Sequence, residues 1–406
     1  MPFSSLGLSA ALLRGVDEYP TPTPVQKAAI PVVLGGGDVL VTAETGSGKT
    51  TAYVLPLLER WLSIPQERPL RVFALILVPT RELAAQVREV FQHCSAHLPD
   101  RIKVVSAVGG VSINPQMMAL RGGADIIVAT PGRLLDLVDH NAVKLSEVKA
   151  LVLDEADRML DAGFALELGR ILTLLPKRRQ NLLFSATFPP AVDSLAKDLL
   201  HDPTRIEIES APVETPLILQ RAIRVDTAKR TPLLRHLIST EDWKRVLVFV
   251  ATQYTADHVA DKLRRNGISA LSFHGDLSQG ARTQVLLDFK NSLIQVLVAT
   301  DLAARGLDIV KLPVVVNYDL PRSADDYTHR IGRTGRAGKS GIAISLVTAE
   351  ANAHFRLIEK RLSLSVPREE IVGFEAVEMP LPASATTGGI KGRRKSKKDK
   401  LRESGG

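Results

Sequence analysis

Short, mostly apolar runs recur along the chain, alternating with stretches whose apolar residues return every three to four positions. One series of runs lies at 74–78, 125–129, 150–153 and 182–184, preceded by Asp38-Val39-Leu40-Val41. A second lies at 246–250, 270–273, 295–299, 314–317 and 342–346. Runs that stay apolar at consecutive positions are strands buried on both faces, as in parallel sheets. The segments 81–93, 255–266 and 282–290 read as the helices between them. This alternation predicts an α/β fold made of two mostly parallel sheets, each flanked by helices. The stretch 207–216 holds two prolines and three glutamates without periodicity, so it reads as a linker. A second break at 381–389 precedes a basic end. The expected division is a first domain at 1–207, a linker at 208–216, a second domain at 217–380 and a disordered tail at 381–406.

The 406 residues are 45% hydrophobic and 24% charged, the balance of a globular protein with an ample core. A single cysteine, Cys94, excludes an intrachain disulfide, and no Cys/His cluster has metal-ligand spacing. No apolar run reaches the length of a membrane span, and no secretory leader is recognisable, so a cytoplasmic protein without membrane contacts is expected. The net charge of +8 is unevenly placed: residues 390–406 carry eight Lys/Arg against two acids, leaving the folded body nearly neutral. Such a block is a nucleic-acid arm or a solubilising tail.

Chemistry enters at Ala43-Glu44-Thr45-Gly46-Ser47-Gly48-Lys49-Thr50. A strand, a glycine turn ending in Lys-Thr and then a helix make a phosphate cradle, with backbone N–H groups and the helix dipole aimed at a triphosphate. Lys49 reaches the terminal phosphates, and the Thr50 hydroxyl is a candidate magnesium ligand. The run 150–153 ends in Asp154-Glu155-Ala156-Asp157, carboxylates at the strand end where open α/β sheets bind ligands. Asp154 suits magnesium, an oxygen-seeking ion that keeps much of its water. Glu155 is placed to orient and deprotonate a water aimed at the γ-phosphate. Taken alone, the same acids also read as a solvated helix start. Far along the chain, His329-Arg330-Ile331-Gly332-Arg333-Thr334-Gly335-Arg336 spaces three arginines by three residues. On a helix they share a face, which suits an arriving anion, and Arg333 and Arg336 are candidate arginine fingers. A structural arginine network is the alternative.

The ordered set of motifs over about residues 3–362 resembles the DEAD-box ATP-dependent RNA helicases of helicase superfamily two, and the opening is most similar to the bacterial RhlE-type branch. Phe3 and 19–26 look like the adenine-recognition segment. The segments 79–84, Gly109-Gly110 and 130–133 look like RNA contacts, and Ser185-Ala186-Thr187 like the coupling motif. The segments 274–276 with Arg282, 299–301, 305–308 and 329–338 resemble second-domain elements. Glu18 stands where the family usually has glycine, and Val25 where isoleucine is common.

The resemblance implies two tandem RecA-like domains, ATP and Mg2+ as cofactors, and RNA as partner. It implies that Gln26 reads the adenine edge, Phe3 stacks on the base and Asp308 meets the ribose. Arg333 and Arg336 are implied at the γ-phosphate. Thr80, Arg81, Gly110, Thr130, Arg133, Arg282 and Thr300 are implied on the RNA backbone, and Ser185, Thr187 and His329 in coupling. Aromatic residues are only 4% of the chain, few for a binder that stacks bases, whereas hydroxyls and arginines suit backbone contacts. The implied activity is RNA-stimulated ATP hydrolysis coupled to domain closure and local unwinding by a monomer. An ATP-gated RNA clamp or assembly platform without unwinding is the alternative, and a transporter-type NTPase motor is disfavoured by the arginine-rich second half.

Overall fold

In a computed structural model of the chain, the described residues are 2–17, 19, 21–44, 46–65, 69–208, 218–304, 312–335 and 340–379. Among the expected site residues, Thr45, Asp308 and Arg336 lie outside them, as do Glu18, all of the expected linker except Ile208, and the basic tail. Two compact units can be distinguished. One comprises Met1–Leu217, Phe273–Leu293 and Ala299–Val310, and the other Ile218–Ser272, Ile294–Val298 and the chain from Lys311 onward.

The first seven strands are β1 (Val39–Thr42), β2 (Ala74–Leu77), β3 (Val104–Ala107), β4 (Ile126–Ala129), β5 (Ala150–Asp154), β6 (Gln180–Ser185) and β7 (Thr204–Glu207). They form one sheet in the order β3-β4-β2-β5-β6-β1-β7, with every pairing parallel. Its residues alternate between two cores. Val39, Val41, Ile76, Val128, Val152 and Phe184 face one helical layer, and Leu40, Leu75, Leu77, Ile127, Leu153 and Leu183 face the other. Period-two alternation with both faces buried is why these strands look uniformly apolar in sequence.

The other strands are β8 (Ile218–Arg224), β9 (Val246–Val250), β10 (Ala270–Phe273), β11 (Val296–Thr300), β12 (Val314–Asn317), β13 (Gly341–Val347) and β14 (Arg368–Glu369). Their order is β10-β11-β9-β12-β13-β8-β14. The recorded pairings β9–β12, β12–β13, β13–β8 and β8–β14 are parallel. The two-sheet α/β expectation therefore holds.

Several helices start where a side chain replaces the missing backbone acceptor. Thr80, Thr252, Ser278 and Ser323 each accept a backbone N–H in the first turn of the helix that follows. Near the second sheet's edge, Glu359 of the helix Ala351–Leu362 accepts from Arg368 Nη1 at 2.9 Å, Arg368 Nη2 at 2.8 Å and the Val366 N–H at 3.0 Å. Arg368 also lies 4.6 Å over the Phe355 ring. These hydrogen bonds, Arg368 first, hold the Glu359 carboxyl below its ordinary range. Its stabilisation is therefore present above the unfolded pKa of about 4.5 and fades as pH falls through the depressed folded value. Glu359→Gln should cost about 1–3 kcal/mol at pH 7. Thermal melts at pH 7 and pH 3 should show the difference shrinking at the lower pH.

Candidate active site

Three neighbouring strand ends build the site. β6 lies between β1 and β5, and the register sets Thr42 beside Ser185 and Phe184 beside Asp154. The turn after β1, the acids after β5 and the serine ending β6 are thus adjacent by topology.

Within the turn, Gly46 and Gly48 take φ of 83° and 93°, the left-handed region that a side chain resists. A Cβ at Gly48 would also lie 2.6 Å from Gln26 Nε2. Gln26 braces this loop: its Nε2 donates to the Gly48 carbonyl at 3.3 Å, while its Oε1 accepts the Thr23 N–H at 2.9 Å. The amide expected to read a base edge is engaged within the protein here. Phe3, expected on the base, is buried in a core cluster with Leu6, Leu8 and Leu12. Ala43 is buried and donates to the Ser185 carbonyl at 3.1 Å, and Ser47 Oγ donates to the Glu44 carbonyl at 2.7 Å.

Lys49 opens the helix Lys49–Leu62 and folds back, its ammonium donating to the carbonyls of Ala43 and, at 3.2 Å, Glu44. Burial lowers its pKa, and the charges of Asp154, Glu155 and Asp157 oppose that shift. Asp154 is buried, and its pKa is raised to about 6, first by desolvation and then by the charge of Glu155. Its Oδ2 accepts from the Tyr53 hydroxyl at 2.8 Å. The Thr50 hydroxyl and the Asp154 carboxylate are hard oxygen donors that fit magnesium, which takes few protein ligands and completes its shell with water and phosphate oxygens. Among the described residues no group of three or more His, Cys, Asp or Glu could form a fuller cage. Glu155 is buried, takes φ of 54°, and pairs with Arg158 Nη1 at 3.2 Å.

Asp157 Oδ2 accepts from the Thr187 N–H at 2.9 Å and the Thr187 hydroxyl at 2.7 Å. Ser185 Oγ donates to the Thr187 carbonyl at 2.7 Å and accepts the Asp157 N–H at 3.3 Å. The acidic turn and Ser185–Thr187 are thus tied by three hydrogen bonds, with a fourth bracing the segment itself.

A second cluster lies at the ends of β3, β4 and β2. Arg81 covers Gly110 so closely that a Cβ there would fall 1.9 Å from its guanidinium, and Gly110 has φ of 70°. Arg133 donates to the Val111 carbonyl at 2.8 Å, yet its Nη1 is buried with no hydrogen-bond partner. Thr130 is buried and accepts the Gly109 N–H at 3.3 Å, while Thr80 caps the helix Arg81–Cys94. Arg282, in a segment belonging to the same unit, donates from Nε to Glu82 Oε1 at 2.7 Å. Desolvation, followed by the charge of Arg282, lowers the Arg81 pKa. Cations crowded against one another with a buried donor unsatisfied make an anion site.

In the second sheet Thr300 ends β11. The arginine repeat does not continue as one helix. The helix Ala324–Ile331 ends at Gly332, and Gly335 takes φ of 64°, so Arg333 lies beyond the helix. Arg330 is structural: it donates to Asn317 Oδ1 at 3.0 Å and the Asp319 carbonyl at 2.6 Å, above the Phe249 ring. The glycines overrode the helical spacing. Arg333 is itself buried, and His329 is half-buried in the last turn of that helix.

Residues 23–195 match the DEAD/DEAH box helicase family, and residues 228–338 match the helicase conserved C-terminal domain. The chain belongs to the DEAD-box RNA helicases. It is 40% identical over 362 residues to the ATP-dependent RNA helicase CshA of Limosilactobacillus reuteri, covering 89% of this chain and 72% of that one. It is equally identical over 383 residues to the ATP-dependent rRNA helicase RRP3 of Gibberella zeae, covering 92% and 78%. Among solved structures, S. cerevisiae Dbp5 bound to RNA and ADP BeF3 aligns with a TM-score of 0.79 at 32% identity, covering 91% of this chain and 95% of that one.

Sequence reasoning about this DEAD-box chain missed Tyr53, Arg158 and Gln116. Tyr53 lies among apolar residues of a helix, where an aromatic marks only core. Gln116 holds the loop before Gly109 by bonds with the Val108 N–H and carbonyl and the Ser112 carbonyl, partners that no local pattern marks.

The raised Asp154 pKa gives a signed prediction. The folded protein holds this proton more tightly than the unfolded chain, so ionised Asp154 costs stability above pH 6, and that cost vanishes below the unfolded value of 3.8. The gap corresponds to about 3 kcal/mol. Nucleotide-free Asp154→Asn should melt several degrees above the wild type at pH 8, with the curves converging as the pH approaches 4.

Proposed function

We propose that this chain is an RNA-stimulated ATPase that separates short RNA duplexes locally and non-processively, or remodels RNA–protein assemblies. The observation that carries the reading is the three-way use of one acidic turn. Asp154 accepts from Tyr53 and interacts with the Lys49 charge, Glu155 is buried beside the phosphate loop, and Asp157 binds the segment Ser185–Thr187. In this reading the loop 43–50 holds the triphosphate, and Lys49 exchanges its loop carbonyls for phosphate oxygens. Thr50 and Asp154 hold Mg2+, which when bound neutralises phosphate charge. Glu155 orients and deprotonates the attacking water, leaving its Arg158 partner to do so. Arg333 and Arg336 are assigned to charge developing on the γ-phosphate, Asp308 to the ribose, and Gln26 and Phe3 to the adenine.

The RNA backbone is assigned to Thr80, Arg81, Gly110, Thr130, Arg133, Arg282 and Thr300, supported by the unsatisfied Arg133 Nη1 and by the RNA-bound Dbp5 relative. Coupling is assigned to Ser185, Thr187 and His329. The division into 1–207 and 217–380 joined by 208–216 is part of the proposal, supported by one family match ending before the linker and the other beginning after it. A cytoplasmic monomer of the RhlE-type branch, with a tail adding RNA or protein contacts, completes the proposal on sequence grounds. Among the described residues no helix is long and apolar enough to cross a membrane.

Glu155→Gln should keep ATP affinity within about twofold while RNA-stimulated turnover falls about 10²-fold or more. Arg333→Ala should lower turnover by about 10³-fold or more. Steady-state ATPase and equilibrium nucleotide binding decide these two, and a strand-displacement assay run beside them separates a helicase from an ATP-gated clamp. Gly110→Ala, which must displace Arg81, should weaken RNA binding about tenfold while sparing nucleotide affinity in the absence of RNA. Equal RNA affinity would remove Arg81 and Gly110 from the RNA site.

A further inference from the structure

Tyr53 is one turn into the helix Lys49–Leu62 and fully buried, its ring tilted against Phe184 at 5.1 Å between centroids. A phenol withdrawn from water needs partners for its hydroxyl. Its partner is one of the two side chains proposed above to hold magnesium: the hydroxyl lies 2.8 Å from Asp154 Oδ2.

The hydrogen-bond direction follows from the chemistry. Ionised Asp154 has no proton to give, so Tyr53 donates to it. A carboxylate held at Oδ2 by a buried phenol is fixed in its rotamer, as a metal ligand should be.

We propose that Tyr53 is a positioning residue that orients Asp154 and sets the magnesium requirement of ATP binding and hydrolysis. The proposal depends on Asp154 holding the ion, and Tyr53 acts through that ligand. A Phe at this position would keep the ring on Phe184 and delete only the oxygen. Partners of metal ligands typically contribute 10–100-fold in metal affinity or activity.

The test uses the full chain as wild type, Tyr53→Phe, Asp154→Asn and the double variant. Affinity for a fluorescent ATP analogue is measured in EDTA and across a Mg2+ titration, with ATPase followed over the same titration. In Tyr53→Phe, affinity in EDTA should match wild type, which also reports an intact phosphate loop. The Mg2+ concentration for half-maximal gain in affinity should rise about tenfold, and turnover should return to within about threefold of wild type at saturating Mg2+. In the Asp154→Asn background, Tyr53→Phe should add less than twofold. An unchanged Mg2+ midpoint in Tyr53→Phe, with Asp154→Asn strongly shifted, overturns the role of Tyr53 alone. Equal weakening in EDTA and in Mg2+ overturns it too, since the phenol would then only shape the loop. An unshifted midpoint in Asp154→Asn removes the magnesium assignment itself, and the Tyr53 inference with it.

Discussion

An ammonium and a carboxylate, Lys49 and Asp154, are both withdrawn from water at the same end of one sheet, and burial favours the neutral form of each. A buried charge is tolerated when partners replace its hydration. Lys49 uses the carbonyls of its own loop, and Asp154 uses a phenol. Both arrangements are substitutes that a better partner can displace. A triphosphate offers Lys49 full negative charges, and a divalent cation offers Asp154 the positive charge that burial denies it. The site is thus a pair of incompletely compensated charges whose mutual attraction alone does not offset the desolvation of either. That imbalance makes the protein receptive to a ligand carrying both signs.

The same constraint explains why the neighbouring groups are packed so firmly. The Tyr53 hydroxyl holds Asp154 from one side. On the other, β6 lies directly between the strands that carry the two groups, and its final residue begins the chain of bonds from Ser185 through Thr187 to Asp157. A displacement of the acidic turn must be felt at Thr187. This contiguous, hydrogen-bonded path gives the coupling assigned to Ser185 and Thr187 a physical route.

Much of this was legible in the sequence because the chemistry sits at strand ends. Doubly buried strands such as Ile126–Ala129 and Ala150–Asp154 are uninterrupted apolar runs, so their ends are marked by the first polar residues after them: Thr130 in one case, Asp154 itself in the other. Edge elements were harder to read. β7 and β8 carry exposed and half-buried polar residues, and Thr204-Arg205-Ile206-Glu207 has a single buried position. The helical reading of Arg330, Arg333 and Arg336 failed because spacing was weighed above Gly332, which ends the helix after one of the three. Tyr53 was invisible for another reason. Its partner Asp154 is 101 residues away, and in local sequence an aromatic within an apolar helix face signals only core. Likewise, the Thr23–Gln26 pair carries a capping-box signature, yet the bond from Gln26 to Gly48 exists only once the fold brings helix and loop together.

The acidic turn shows how one short segment can serve three tasks. In a strand, neighbouring side chains point to opposite faces, so consecutive carboxylates would not ordinarily share a site. Glu155 breaks this alternation with a left-handed backbone. Among the described residues, five other non-glycine residues have positive φ, and all are exposed, whereas Glu155 is buried. Such a conformation costs on the order of 1–3 kcal/mol and persists only where its surroundings enforce it. The enforcement is visible: Asp157 is bound to Thr187 and Ser185 on the far side of the turn, Asp154 is bound to Tyr53 on the near side, and Glu155 is caught between them with Arg158 as its own partner. Three carboxylates in four residues therefore face three different partners, so the roles proposed for them are held apart without being separated in the chain.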